Sequence, residues 1–275
     1  MIIVTNFSGI ILIMKLISLN IWGGRVHKSF IEFLKKQNKN IDVFCFQEVF
    51  KSDRNIFQNN IKTNIYSDIS DILKNYNGYF SPTFEGFDIK QEVDFELYFG
   101  QAIFIKKSIK VLSDGNFFVY GFYGQEKVKP KRNHKSFGSY LDFPRLIQYL
   151  EVQENGNKIL IANLHGFWLP DSKEDTPERL EQSDKTLEFL SNYKEGKILC
   201  GDFNLSPDTK SMVKLEKGMV NLVKKYNVSS TRSNLHTRKD KMADYILVSK
   251  DIKVLNFEVL NNEVSDHLPL FLEFS

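Results

Sequence analysis

Cysteine is scarce in this chain of 275 residues: two are present, Cys45 in "DVFCFQE" and Cys200 in "KILCGDF". So few thiols exclude a disulfide framework. Their apolar, strand-like settings read as buried free thiols, which fits a reducing, cytoplasmic compartment. Long hydrophobic runs are missing too. The most apolar stretch, "MIIVTNFSGIILIMKLISLNIW", is broken by Thr5, Asn6, Ser8, Gly9 and Lys15 and does not read as a membrane span. It also lacks the basic start and small-residue cleavage site of a signal peptide. No stable membrane anchoring is expected, and the chain reads as a monomer. Charge of one sign is lacking as well: 37 Lys and Arg against 34 Asp and Glu leave a net +3. That balance excludes a strongly basic nucleic-acid coat protein and permits an anionic substrate. There is no "GxSxG" elbow, no "GxxxxGK[ST]" loop, and no basic group beside either cysteine, so serine or cysteine nucleophiles and a P-loop have no support. Repeats, low-complexity segments and linkers are absent. A single domain over residues 14–275 is expected, with Met14 as an alternative start and residues 1–13 as an N-terminal extension.

What is present is a succession of strand patterns punctuated by helices. "KLISLNIW" (15–22) alternates as a strand does, and Val26, Phe30, Phe33 and Leu34 then recur at helical spacing. "IDVFCFQEV" is a nearly continuous apolar run, the signature of a strand covered on both faces. Strand, helix and strand within about thirty residues predict a right-handed βαβ unit with parallel strands. Asn20 and Glu48 then fall near strand C-termini, where open α/β sheets place their sites. Residues 51–76 read as helix. "GYFSPTF", "YFGQAIFIKKS" and "KVLSDGNFFVYGFYG" read as strands, and "QEKVKPKRNHKSFGS" as a basic loop. "RLIQYLEVQENGNKILIANLHGFW" reads as a hairpin turning at Asn155-Gly156 and ending at His165. A helix capped by Asp175 or Thr176, with Pro177 in its first turn, is expected to run to Gly196. "KILCGDFN" follows as a strand, then two strands joined at Lys250-Asp251, then "HLPLFLEFS". These features predict an α/β fold: two mixed β-sheets packed face to face with helices on the outer faces, a four-layer α/β/β/α sandwich.

Polar residues gather at the predicted strand ends: Asn20, Glu48, His165, Asp202 and Asn204, Asp244, and Asp266 with His267. If strand geometry persists through "GDFN", Asp202 and Asn204 point to the same side. Glu48 alone reads equally well as a satisfied core acid, because a buried carboxylate needs a partner or a metal. Taken together, carboxylates, amides and imidazoles without thiolates favour a hard divalent cation, Mg2+ or Mn2+. His27, His134 and His236 read as surface residues.

The ordered set "SLNIW", "FQEV", "NLHGFW", "CGDFNLSPDT", "ADYILVS" and "SDHLPL" resembles the endonuclease/exonuclease/phosphatase superfamily of metal-dependent phosphoesterases, over residues 16 to 270. It is most similar to the small bacterial-type hydrolases of that family. The resemblance implies Glu48 as the main metal ligand with Asn20 beside it, and Asp266 on the metal side. It implies Asp202 as the residue aligning or deprotonating the attacking water, and Asn204 as holding that water and the phosphate. It implies His267, oriented by Asp244, on the scissile phosphate, and His165 on the phosphate or the leaving group. The Trp-Arg pair of the family's apurinic-site nucleases is absent before "ADYILVS", and no arginine follows "GDFN" as in its inositol-polyphosphate phosphatases. Arg145, Lys129, Lys131 and Arg132 are candidate substrate-binding residues, the last three in the basic loop. The expected activity is in-line hydrolysis of a phosphodiester, with DNA or RNA as substrate. The alternatives are a phosphatase or phosphodiesterase acting on a lipid or small phosphorylated molecule, and a catalytically weak binding or scaffold member of the fold.

Overall fold

The computed structural model describes residues 3–6, 9–124, 143–154, 156–170 and 172–275. A small hairpin of β1 (Ile3–Asn6) and β2 (Gly9–Leu12) precedes β3 (Met14–Asn20). The expected βαβ unit follows: α1 (His27–Gln37) buries Phe30, Phe33 and Leu34 and returns the chain to β4 (Val43–Ser52), parallel to β3. The segment read as helix over 51–76 differs. β4 continues to Ser52, and a two-stranded ribbon of β5 (Phe57–Gln58) and β6 (Ile61–Lys62) comes next. Only then does α2 (Ile65–Ile72) begin, with the Asn64 side chain accepting from Ser67 N. The ribbon turns at Asn59 and Asn60, both at positive φ (49° and 68°). Asparagine tolerates that conformation, and it stops a helix. Two long antiparallel strands, β7 (Tyr76–Glu85) and β8 (Leu97–Lys106), then extend the sheet beyond β4.

The second sheet starts with β9 (Lys110–Tyr120) against β10 (Arg145–Glu154). β10 pairs with β11 (Asn157–His165) as a hairpin, Glu154 opposite Asn157 and Gly156 at φ 82°; Asn155 of the expected turn lies outside the described residues. Helix α3 (Pro177–Ser191) is capped by the Thr176 side chain, which accepts from Arg179 N, and ends at Asn192 rather than at Gly196. Gly196 instead opens β12 (Gly196–Asp202), parallel to β11. After α4 (Lys210–Leu215), β13 (Met219–Asn221) and α5 (Leu222–Lys225), β14 (Asp244–Ser249) pairs antiparallel with β12. The turn at Lys250-Asp251 carries the chain across to the first sheet, where β15 (Val254–Val259) and β16 (Leu270–Phe274) lie beside β3.

Two six-stranded mixed sheets result, ordered β15-β16-β3-β4-β8-β7 and β13-β14-β12-β11-β10-β9. Leu16, Val43, Cys45 and Ile103 of the first meet Leu160, Ala162, Leu199 and Cys200 of the second in one buried cluster. A second cluster joins the outer face of the first sheet, Phe44, Phe46 and Phe104, to Phe30 and Leu34 of α1 and to Ile65 and Ile69 of α2. Helices α3 and α4 contribute Phe189, Leu190 and Met212 to the core of the second sheet. Both cysteines are free and buried. No helix among the described residues is long and apolar enough to cross a membrane.

Candidate active site

Strand register sets the central row. His165 of β11 pairs with Asp202 of β12, and Asp202 pairs with Asp244 of β14, so three polar side chains stand abreast on one face of the second sheet. The first sheet meets them at the ends of β3 and β4. Asn20 closes β3, and a β-bulge between Phe46 and Val49 puts Glu48 at φ 55°. Such backbone in a glutamate costs about 1–3 kcal/mol and is held by its surroundings. The Asn20 amide joins the sheets: Nδ2 donates to Glu48 Oε1 and to Asp202 Oδ2, both at 3.0 Å, while Oδ1 accepts from Trp22 N at 2.9 Å.

A buried amide network fixes this junction. Gln47 Nε2 donates to Asn163 Oδ1 at 2.6 Å, and Asn163 Nδ2 donates to Phe46 O at 3.0 Å. Gln101 Nε2 donates to Asn163 O at 2.7 Å, and its Oε1 accepts from His165 N at 3.0 Å. Residues next to Glu48 and His165 are thereby tied across the two sheets.

Asp202 and Asn204 converge, but not by strand alternation. β12 ends at Asp202 and the chain turns left-handed at Asn204, φ 57°. Asparagine is suited to this because its short polar side chain bonds locally. Asn204 N donates to Asp202 Oδ1 at 3.0 Å, and its Nδ2 donates to Gly166 O at 3.2 Å. Its Oδ1 accepts from Lys173 Nζ. Gly166 permits this close approach: a Cβ there would lie 2.2 Å from Phe203 O.

His267 lies beside Asp202. Its Nδ1 is 2.9 Å from both Asp244 oxygens, and its Nε2 is 3.6 Å from Asp202 Oδ2 and in contact with Arg232 Nη1. Thr231 Oγ1 donates to Asp244 Oδ2 at 2.9 Å. Burial and Arg232 oppose protonation of His267, but Asp244, Asp266 and Asp202 together raise its pKa. Burial likewise opposes ionisation of Asp202, and the positive field of His267, Lys173 and Arg232 outweighs it, holding the carboxyl well below the usual range. His165 behaves oppositely: burial, then Arg145, push its imidazole down to about 3, so it is neutral at pH 7. Its Nε2 is 3.8 Å from Glu48 Oε1. Burial raises the Glu48 pKa, with Asp266 and Asp202 adding to the effect and the Asn20 bond opposing it. Arg145 is buried at the start of β10, donating to Gly166 O and Pro144 O at 3.0 Å each. Burial pushes its pKa down to about 10.

All the named site residues that the structure describes surround one cleft of about 430 Å3 or buttress its floor. Lys129, Lys131 and Arg132 lie outside the described residues. The donor set fits a hard cation: carboxylates and imidazoles, with both thiols in the core between the sheets. Ligand atoms of Asp202, Asp244 and His267 lie within 4.8 Å of one another. Asp244 is bonded by His267 and Thr231, Asp266 lies 3.5 Å from His236 Nδ1 and 3.7 Å from Arg232 Nη1, and Glu48 accepts from Asn20.

Several lining residues carried no sequence assignment: Lys173, Arg232, Asp240, Trp22 and Trp168. His236, read as a surface residue, stands in the cleft wall between Asp240 Oδ1 (3.2 Å) and Asp266 Oδ2 (3.5 Å). The density of Arg, His and Lys in "TRSNLHTRKDK", immediately before β14, was the available signal. Both tryptophans of the chain line the cleft, with the Arg25 guanidinium 4.5 Å from Trp22 and that of Arg238 5.0 Å from Trp168.

The Endonuclease/Exonuclease/phosphatase family model matches residues 17–267. Among solved structures, an endonuclease/exonuclease/phosphatase family protein from Bacteroides thetaiotaomicron is similar at TM-score 0.67 and 18% identity, covering 96% of this chain and 97% of its own. A mannosyl-6-phosphatase from the same species gives TM-score 0.65 and 18% identity over 95% and 99% of the two chains. The human Nocturnin catalytic domain with bound sulfate gives 0.63 and 20% over 96% and 93%. Likeness at these identities shows the fold alone. No curated protein matches the sequence.

Proposed function

We propose, on the premise that the chain belongs to the endonuclease/exonuclease/phosphatase family, that it is a divalent-cation-dependent phosphodiesterase acting on nucleic acid. The observation that carries this reading is the meeting of Asn20, Glu48, Asp202, Asn204, Asp244 and His267, drawn from both sheets, at one cleft. Glu48 and Asp266, with Asn20 beside them, are assigned to Mg2+ or Mn2+. When bound, the cation supplies charge neutralisation at the phosphoryl oxygens.

The chain's own residues perform the remaining steps. Asp202, kept ionised by its cationic neighbours, accepts a hydrogen bond from the attacking water and aligns it. Water adds to phosphorus opposite the leaving oxygen, the P–O ester bond breaks, and the proton the attacking water sheds is balanced by the one the departing oxygen takes up, giving the product alcohol. His267, oriented by Asp244, presents Nε2 to a phosphoryl oxygen. A fixed donor at such a position is typically worth about 10²–10³ in rate. His165, neutral at pH 7, serves as a hydrogen-bonding group and not as a cation. The two tryptophan–arginine pairs at the cleft support nucleic acid, since aromatic and guanidinium faces stack bases. The buried, free thiols suit a cytoplasmic location.

A second reading, a phosphatase on a small phosphorylated molecule, is favoured by the buried Arg145, Lys173 and Arg232 around the cleft and by the likeness to a mannosyl-6-phosphatase. The test is release of nitrophenol from bis(p-nitrophenyl) phosphate with Mg2+ or Mn2+, with and without chelator. A panel of single-stranded DNA, duplex DNA, RNA, phosphoinositides and sugar phosphates then follows. Metal-dependent turnover of the polynucleotides is expected. Turnover confined to small phosphates selects the second reading, and no turnover at all selects a binding or scaffold role.

A further inference from the structure

Two buried cations in the cleft are incompletely paired among the described residues. Lys173 is 7% exposed, and the one hydrogen bond its ammonium donates among the described residues goes to the Asn204 side-chain oxygen, a neutral acceptor. It makes no ion pair among the described residues. Asp202, the nearest negative charge in the site, is already bonded at Oδ1 by Asn204 N and at Oδ2 by Asn20 Nδ2. The Arg232 side chain is 6% exposed, and its Nε is buried without any partner. Its carboxylate neighbours are distant for charge-assisted bonds: Asp240 Oδ2 at 3.4 Å and Asp266 Oδ2 at 3.7 Å, against about 2.7–2.9 Å for good pairs. Arg232 Nη1 instead abuts His267 Nε2, although the carboxylates around His267 favour its protonated form.

Cations packed this way repel one another. Burial, the largest effect, together with Arg232 outweighs the support of Asp202 and Asp240 and brings the Lys173 pKa down to about 8. Asp202, Asp244, Asp266 and Asp240 keep Arg232 charged, but its buried Nε and the Lys173 ammonium still have donors to spare, and an anion entering the cleft would complete them. Lys173 attaches to Asn204 and Arg232 to His267, so the free donors bracket the place where those two residues meet a substrate. Neither cation belongs to the six motifs that carry the family resemblance.

We propose that Lys173 and Arg232 form a metal-independent oxyanion clamp that grips the oxygens of a phosphate group in the cleft. The proposal rests on the phosphoester reading of the cleft and adds two substrate-binding residues to it. Arginine offers a planar fork of donors to two phosphate oxygens, and lysine a point charge to a third. The clamp holds the phosphate before any cation arrives.

The test is titration of chelator-treated protein with inorganic phosphate, against chloride at equal ionic strength, followed by the emission of Trp22 and Trp168. Saturable binding is expected without metal. Lys173→Gln and Arg232→Met should each weaken it at least tenfold, while Lys217→Met, on the exposed surface, leaves it unchanged. Circular dichroism and thermal melts verify folding, and Lys173→Gln, which removes the single ammonium hydrogen bond to Asn204, decides the matter if Arg232→Met does not fold. Phosphate binding that needs Mg2+, or folded variants with wild-type affinity, would overturn the clamp. Metal-dependent turnover without metal-free phosphate binding sinks the clamp alone. Metal-free phosphate binding without turnover of any phosphoester sinks the hydrolase reading and leaves the clamp standing.

Discussion

Asn20 and Asp202, 182 positions apart and on different sheets, are joined by a 3.0 Å hydrogen bond. The same amide nitrogen holds Glu48, so one side chain keeps two carboxylates at a fixed separation despite their repulsion. Asn20→Ala removes that spacer. Activity should fall by about 10²-fold or more, and the Mg2+ concentration for half-maximal rate should rise. Loss of bonds to charged acceptors should cost about 1.5–3 kcal/mol of stability. Rate against Mg2+ concentration and urea denaturation check both effects, and unchanged metal dependence would remove Asn20 from the cation site.

The His267–Asp244 pair predicts a pH profile. The carboxylates raise the His267 pKa, so the imidazolium is fully present below the ordinary histidine value and is lost as pH rises through the raised one. The rate should therefore decline on the alkaline side. Asp244→Asn removes the leading favourable charge, so the decline should begin at lower pH, and kcat/KM at neutral pH should fall by about 10²–10⁴-fold. An alkaline limb that stays in place in Asp244→Asn would show that it belongs to another group.

Asn163 tests the junction of the sheets. Asn163→Leu keeps the branched shape but takes from Gln47 Nε2 and Phe46 O their partner across the core. A loss of about 2–4 kcal/mol is expected from orphaned buried groups. Adding Gln47→Leu should recover part of it, because the donor left with only Cys45 O and Ser18 Oγ goes too, along with the buried Gln47 Oε1 that lacks a partner. A double-mutant cycle on denaturation midpoints measures the coupling, and additive losses would mean the two amides do not act together.

Much of this was legible in the sequence, for identifiable reasons. The strands ending at Asn20, His165 and Asp202 have strong apolar patterns, and a pattern fixes which residue ends a strand. The "GDFN" pair was located but its geometry was not, because the left-handed turn at Asn204 overrides alternation. The bulge at Glu48 is invisible for the same reason: an extra residue in one strand depends on its partner strand. Lys173, Arg232 and His236 lie on loops without periodicity, and only the folded chain brings them to the cleft. The stretch at 51–76 misled because its isoleucines recur at helical spacing while Asn59-Asn60 turns the chain inside it.

Glu48 gives the last prediction. Burial, reinforced by Asp266 and Asp202, raises its pKa, so an isolated Glu48 holds its proton over a wider acid range than an exposed glutamate. A cation must displace that proton, so metal affinity should weaken as pH falls through the raised value. The native state should be stabilised by about 2.7 kcal/mol when Mg2+ is at 100 times its dissociation constant, a rise of several degrees in Tm. At pH 5 the same Mg2+ concentration should give a smaller rise than at pH 7.5. Glu48→Gln removes the proton competition and the charge together, so the Mg2+-dependent rise should vanish at both pH values. Calorimetric melts with Mg2+ and with chelator distinguish the cases. A Glu48→Gln protein that keeps the wild-type rise would place the cation on other carboxylates of the cleft.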